Sequence, residues 1–456
     1  MRATKFVHMI SVTAALAGLL FGIDTGVISG ALPFIQQTFQ ISTAVSEYIV
    51  SAVLLGAFIG TLLGSYLSHH FGRKFVLFMA GILFALGALL SASAGSPTSL
   101  IIYRIILGLS VGMAAFIAPI YLSEVAPRHH RGGIVSMYQV MVYIGILVAF
   151  LSDTYFSYTG AWRWMLGIIC IPAILMVLLV LFLPRSPRWL VMRNSIDDAK
   201  EILHKIHDDK AEVHREIEEI KESAAIIENG FTLFRTKSSF RKVIGLGILI
   251  QAIQQFTGIN MIFYYASRIF HMTGFQTNAQ QMWMTVLIGV INVIACAAAI
   301  IFVDKQGRKP LLYWGYLGMA IAMFTLSIVF AIGIHTMILK IIGVLAIIIF
   351  LVTFAFSVGP IAWILCSEIF PLKGRDFGMA VATCTNWICN FILALFFLTV
   401  LNALGNSLTF LIFAIFNAAC LLLIFYLIPE TKDISLEHIQ KNLLSGKRLR
   451  DIGMED

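Results

Sequence analysis

The chain has 456 residues, 59% hydrophobic and 12% charged, against the roughly 25% charge of a soluble domain. That balance excludes a soluble enzyme or a disordered scaffold and points to an all-α membrane protein. The net charge of +8 calls for no nucleic-acid partner, because the basic residues mark one face of a membrane.

A spanning helix needs about 20 mostly apolar residues. Twelve such runs follow in order, centred near Leu20, Leu55, Leu83, Leu109, Tyr143 and Leu175, then near Gln254, Gly289, Met319, Phe350, Phe391 and Leu421. The first is not a cleaved signal peptide, since it carries Asp24 and lacks a small-residue cleavage site. Arg73 and Lys74, Arg128 and Arg131, Lys305, Arg308 and Lys309, and Lys373 and Arg375 fall in alternate connections. The positive-inside rule makes those connections cytoplasmic, and an even number of spans puts both termini there. All six cysteines lie inside apolar runs, so no disulfide framework is expected.

One long polar stretch interrupts the pattern. It divides the chain into a first six-helix bundle (1–185), a cytoplasmic linker (186–240), a second six-helix bundle (241–430) and a cytoplasmic tail (431–456). Apolar residues at Ile196, Ile202, Leu203, Ile206, Val213, Ile217 and Ile220 have helical spacing. They predict short amphipathic helices, with a solvated linker as the alternative.

The seventh run holds the most informative stretch, Gln251 to Tyr265. Gln251, Gln254 and Gln255 share one helical face, Gly258 loosens the helix, and Asn260, Tyr264 and Tyr265 follow. Polar glue between helices would explain one or two such residues, but not this concentration beside aromatic rings. Neutral carboxamides next to an apolar ring suit a ligand with hydroxyl edges and a CH face.

The two halves echo each other. Gly72-Arg73-Lys74 recurs as Gly307-Arg308-Lys309, and Ser123-Glu124 with Arg131 recurs as Ser367-Glu368 with Arg375. Repeated halves around a polar site are the architecture of alternating-access carriers. The charged residues at these ends, Arg73, Glu124, Arg131, Arg308, Glu368 and Arg375, suggest acid–base pairs between the halves that latch one state; solvated loop charge is the plain alternative. Inside the spans, Asp24 costs at least about 2.5–3.5 kcal/mol and is a functional candidate by default, with Arg104 its expected partner. A structural ion pair is the alternative.

These motifs identify the chain as resembling the sugar porters of the major facilitator superfamily, over essentially its whole length. The residues that carry the resemblance are Arg104 with Gly108 and Gly112, Pro119 to Glu124, Pro184 to Trp189, Gln254 to Asn260, Asp304 to Lys309, Pro360 to Glu368 and Pro429 to Lys432. The resemblance implies twelve transmembrane helices in two six-helix bundles. It also implies uptake of a monosaccharide with a proton across the inner membrane, by a monomer that uses no cofactor or metal. Galactose, with glucose accepted, is the first substrate to expect; arabinose or xylose, or facilitated uniport, are the alternatives. By position, the resemblance assigns sugar contacts to Gln139, Gln254, Gln255, Asn260, Tyr264, Asn292 and Trp363, with Phe21 and Trp387 as flanking rings and Asn386 where some relatives have glutamine. It assigns the coupled proton to Asp24, tuned by Arg104.

Two departures stand out. Ser68 replaces the acid that usually precedes Gly-Arg-Lys in the first half, as in galactose-type members. Arg185 replaces the acid of the usual Pro-Glu-Ser-Pro-Arg, which puts any salt bridge of that acid in doubt. A transporter-derived sensor would be expected to carry long tails, and a membrane enzyme would need a nucleophile, a hydrolytic acid pair or Cys/His metal spacing in the spans; the sequence supports neither.

Overall fold

The computed structural model describes residues 2–125, 131–206, 213–215, 217–218, 220–221, 230–371, 374–432, 434, 442 and 447–452, with side chains outside 2–11, 14, 131–136, 206 and 300–305. Among these residues the chain is helical almost throughout, without strands. The first five spans are Arg2–Phe39, Thr43–Phe71, Arg73–Ala92, Pro97–Val125 and Arg131–Ser157, and the sixth is Trp162–Gly167 with Cys170–Phe182. The seventh comes in pieces, Ser238–Phe256, Ile259–Tyr264 and Ala266–Met272; the eighth is Asn278–Gln306 and the ninth Arg308–Ile332. The tenth runs from Met337–Thr353 through a π-helical turn, Phe354–Val358, into Gly359–Ile369.

A single helix, Arg375–Leu427, follows with 53 residues. At 1.5 Å per residue it would measure about 80 Å, against a hydrocarbon core of about 30 Å. Its backbone leaves helical geometry at Gly405, where φ is 79°. Among the described residues eleven helices are long and apolar enough to cross a membrane, and this break resolves the last of them into an eleventh and a twelfth span, matching the twelve runs in the sequence.

The repeat is visible in the backbone. Gly72 and Gly307 start the third and ninth spans with nearly identical dihedrals, φ 89° and ψ 167° against φ 87° and ψ 168°. Glycine alone tolerates that conformation without strain. Between the halves, Pro187–Met192, Ile196–Ile206 and Gly230–Thr236 are short helices. Leu190, Val191 and Ala199 form a small core there, against which Trp189, Ile202 and Ile220 pack. The amphipathic spacing is therefore realised where the linker is described. Much of 207–229, and most of the tail 431–456, lie outside the described residues.

In space the chain forms two compact units, Met1–Val27 with Ala52–Ala149 and Arg163–Ile227, and Ile28–Ser51 with Phe150–Trp162 and Glu228–Asp456. Within the first, close backbone approach is set by glycine: a Cβ on Gly22 would run into the Val142 carbonyl of the fifth span, and one on Gly108 into the Val53 carbonyl of the second. Small residues at four-residue spacing permit this contact, the form of packing that membrane helices favour. The opposite faces carry exposed Leu62, Ile171 and Phe182, which suit lipid and would be a liability in water.

Within the second unit the spans are joined by polar contacts that hydropathy does not show. Ser267 donates its N–H to Ser29 Oγ at 3.1 Å and its hydroxyl to the Ser29 carbonyl at 2.6 Å. Glu47, buried, accepts from the Thr399 N–H at 2.7 Å and hydroxyl at 2.6 Å. Asp153 accepts from the Gly30 N–H at 3.1 Å.

Candidate functional site

The seventh span breaks where the sequence loosens it. Gly258 takes φ 91°, a left-handed conformation that stops one helical piece before Ile259 starts the next. The freed backbone is satisfied internally, as an apolar surrounding requires: Asn417 of the twelfth span donates to the Thr257 carbonyl at 3.3 Å. The tenth span is distorted as well. Its π turn runs directly into Gly359-Pro360, and the Gly359 carbonyl accepts from Gln254 Nε2 at 3.1 Å.

These distortions frame a network of carboxamides inside the second unit. Asn386 of the eleventh span donates to Gln251 Oε1 at 2.7 Å and Gln254 Oε1 at 2.6 Å, and accepts from Gln255 Nε2 at 3.0 Å. Gln255 in turn accepts from Asn260 at 2.7 Å. Gln251, Gln254, Gln255 and Asn386 are buried, and Asn260 is half-buried. The network is neutral throughout and presents donors and acceptors in equal kind, which suits hydroxyls and does nothing for a charged ligand.

One turn further along both helices, Asn390 Nδ2 donates to Tyr264 Oη at 3.1 Å. Asn390 was not singled out by the sequence; its i, i+4 spacing from Asn386 was the available signal. Asn292 of the eighth span is buried and bonds the Ile288 carbonyl at 2.9 Å, and Trp363 of the tenth is half-buried. Among the described residues no hydrogen bond ties either one to the network. Trp387 is buried next to Asn386. In the first unit, Phe21 and Gln139 are half-buried on the first and fifth spans.

The structure brings Asp24 and Arg104 together within the first unit. Their carboxylate and guanidinium are 3.7 Å apart, with side chains 4% and 2% exposed. That separation is too long for a hydrogen bond. The Coulomb attraction is about 4 kcal/mol at an effective dielectric near 20, with desolvation of both groups set against it.

The charged ends of the helices form two matching clusters. Glu124 accepts from Arg73 Nε at 2.9 Å and Nη2 at 2.8 Å, and from the Ser186 hydroxyl at 2.6 Å. Glu368 accepts from Arg308 Nη2 at 2.8 Å and from the Thr431 hydroxyl at 2.5 Å. Each is an Arg–Glu–hydroxyl triad of residues from the same half. Arg375 donates to the Phe370 carbonyl at 3.2 Å, and the side chain of Arg131 lies outside the described residues.

The triads differ in one member. Glu430 also accepts from the N–H groups of Arg308 at 3.0 Å and Lys309 at 2.9 Å, capping the ninth span. The matching position in the first half is Arg185, and Trp189 packs against Gly72 there instead. The acid missing from the sequence is therefore a helix cap.

Comparison with known proteins places this arrangement. Residues 10–443 match the model of the family described as "Sugar (and other) transporter". The chain is 51% identical over 443 residues to the galactose-proton symporter of Escherichia coli (strain K12), covering 97% of this chain and 96% of the relative. It is 45% identical over 458 residues to the arabinose-proton symporter of the same strain, covering 100% and 97%. The solved structure of the major facilitator superfamily proton:xylose symporter XylE bound to 6-bromo-6-deoxy-D-glucose superposes with a TM-score of 0.81 at 32% identity, covering 96% of this chain and 99% of that one.

Proposed function

Because the chain belongs to the sugar transporter family, we propose that it carries D-galactose, and D-glucose with it, into the cell together with a proton by alternating access. The observations that carry this reading are the buried Asp24–Arg104 pair of the first unit and the neutral carboxamide network of the second: one takes the ion, the other the sugar. An intramembrane acid facing an arginine marks a proton relay more readily than a scaffold.

In the cycle we infer, the ionised Asp24 holds Arg104 in one state. A proton on Asp24 removes the attraction and lets the loaded carrier reorient. Gln254, Gln255, Asn260 and Asn386 hold the sugar's hydroxyls together with Gln139, Asn292 and Trp363, and Phe21, Tyr264 and Trp387 flank its ring. The Arg73–Glu124 and Arg308–Glu368 triads rigidify the cytoplasmic helix ends and govern reorientation together with Arg131 and Arg375. Ser29–Ser267 and Glu47–Thr399 act at the opposite ends of the spans. The protein works as a monomer in the cytoplasmic membrane with both termini inside, and needs no cofactor beyond the coupled proton.

The reading is tested by uptake of labelled galactose into cells carrying the protein, with and without a protonophore. Accumulation above the external concentration that collapses on protonophore addition supports it. Uptake that only equilibrates, and ignores the protonophore, identifies a uniporter instead.

A further inference from the structure

Arg185, the second departure in the sequence, has no part in the transport cycle. It follows shortly after the sixth span, which ends at Phe182, and both it and Arg193 are exposed. Trp189 joins the two: its ring lies 6.0 Å from the Arg185 guanidinium and 5.7 Å from that of Arg193, within the range of cation–π attraction. Backbone carbonyls pin the arrangement. Trp189 Nε1 donates to the His69 carbonyl at 3.1 Å, and Arg193 Nη2 donates to that of His70 at 2.7 Å. Lys74 of the third span donates to the Leu181 carbonyl at 2.8 Å and lies close enough to feel the charge of Arg185.

The repeat shows what this cluster lacks. In the second half Lys309 makes the corresponding bond, to the Phe425 carbonyl at 3.1 Å, but the charges around it are Glu430, Asp451 and Arg450, so two acids stand against two bases. Beside Lys74 the neighbouring charge is a second cation. Among the described residues no carboxylate forms an ion pair with Lys74, Arg185 or Arg193. Asp197 and Glu201, next along the chain, pair with Lys200 and Lys205 instead. Phe71, Phe75 and Phe182, next to these cations in the sequence, are exposed, which suits hydrocarbon and not water.

We propose that Lys74, Arg185 and Arg193 form a binding site for the headgroup of an anionic phospholipid, whose acyl chains lie along Phe71 and Phe182. The phosphate supplies the negative charge that Glu430 and Asp451 supply in the second half. Guanidinium groups meet phosphate oxygens two at a time, and an indole is at home at the depth of the headgroups. The site does not depend on what the protein carries.

The test is native mass spectrometry of the full-length protein in a neutral detergent, titrated with dioleoyl phosphatidylglycerol or with zwitterionic dioleoyl phosphatidylcholine. Each basic residue near a membrane surface contributes about fivefold in affinity for anionic lipid, so three give phosphatidylglycerol a preference of about a hundredfold. Arg185→Gln and Arg193→Gln are each expected to weaken phosphatidylglycerol binding about fivefold and to leave phosphatidylcholine unchanged. Arg235→Gln is the control, since Arg235 is also exposed and stacks on a ring, Phe231, at 6.0 Å; it is expected to change neither. Arg185→Glu reverses the charge, is expected to cost about 25-fold, and gives the readout where a glutamine variant does not fold. Equal binding of the two lipids overturns the proposal. So does an equal loss in Arg235→Gln, which would show diffuse surface charge and no site. Displacement of phosphatidylglycerol by an equal concentration of glycerol 3-phosphate also overturns it, because the site would then serve a soluble anion.

Discussion

Replacing Glu124 by glutamine keeps the shape of the side chain and removes its charge. In the structure that carboxylate is 5% exposed and its Arg73 partner 11%, so solvent screens the pair little. It accepts three short bonds, two from Arg73 and one from Ser186. Glutamine keeps one acceptor oxygen and turns an amide NH2 toward a guanidinium or a hydroxyl that was donating. Charge-assisted hydrogen bonds contribute about 1.5–3 kcal/mol each, and a buried guanidinium left half-paired adds to the loss, so the state that depends on the triad is destabilised by about 2–4 kcal/mol. A shift of 3 kcal/mol redistributes two conformations by about 150-fold. The assay pairs labelled-sugar exchange in proteoliposomes with equilibrium binding in detergent. Exchange in Glu124→Gln is expected to slow at least tenfold while sugar affinity changes only a few-fold. A parallel collapse of affinity would refute the assignment of the triad to conformational control, and so would exchange at the original rate.

The missing cap yields a second expectation. Arg185→Glu restores to the third span the acid that Glu430 supplies to the ninth, and should raise unfolding stability by about 0.5–1 kcal/mol, read as a higher melting temperature in detergent; Glu430→Gln should lower it, and the reverse order would contradict the repeat. Gln255→Ala removes the residue that connects Asn260 to Asn386 and is expected to weaken sugar binding at least tenfold by calorimetry, while the melting temperature without sugar moves by only a few degrees. Gly22→Ala drives a methyl into the Val142 carbonyl and is expected to lower the folded yield sharply on size-exclusion chromatography, because two packed backbones must part to admit it.

Spans, repeat and charge pairing were legible because each rests on a strong local signal. An apolar run of about 20 residues has few alternatives, and an acid such as Asp24 inside one stands out at once. The separate runs around Phe391 and Leu421 even foretold the break at Gly405. What the sequence concealed depends on phase and on partners. Within an all-apolar run nothing announces that Phe354–Val358 will wind as a π turn, or that Asn390 will meet Tyr264 while Asn292 keeps to its own helix. Glu47 and Asp153 went unmarked because both sit near span ends, where a carboxylate ordinarily meets water; the structure buries them. The triads were identified by residue, but their third members were not: nothing in the loops marks Ser186 and Thr431 as the hydroxyls that join Glu124 and Glu368.

The central claim is that sugar and proton enter together through Asp24. Its most direct measurement is external pH in a weakly buffered suspension of cells carrying the protein, challenged in turn with galactose, glucose, arabinose and xylose, with Asp24→Asn alongside. The account predicts an alkaline shift on galactose that is absent in the variant. Sugar uptake with no proton movement, equal in the unaltered protein and in Asp24→Asn, would contradict it and leave Asp24–Arg104 a structural pair.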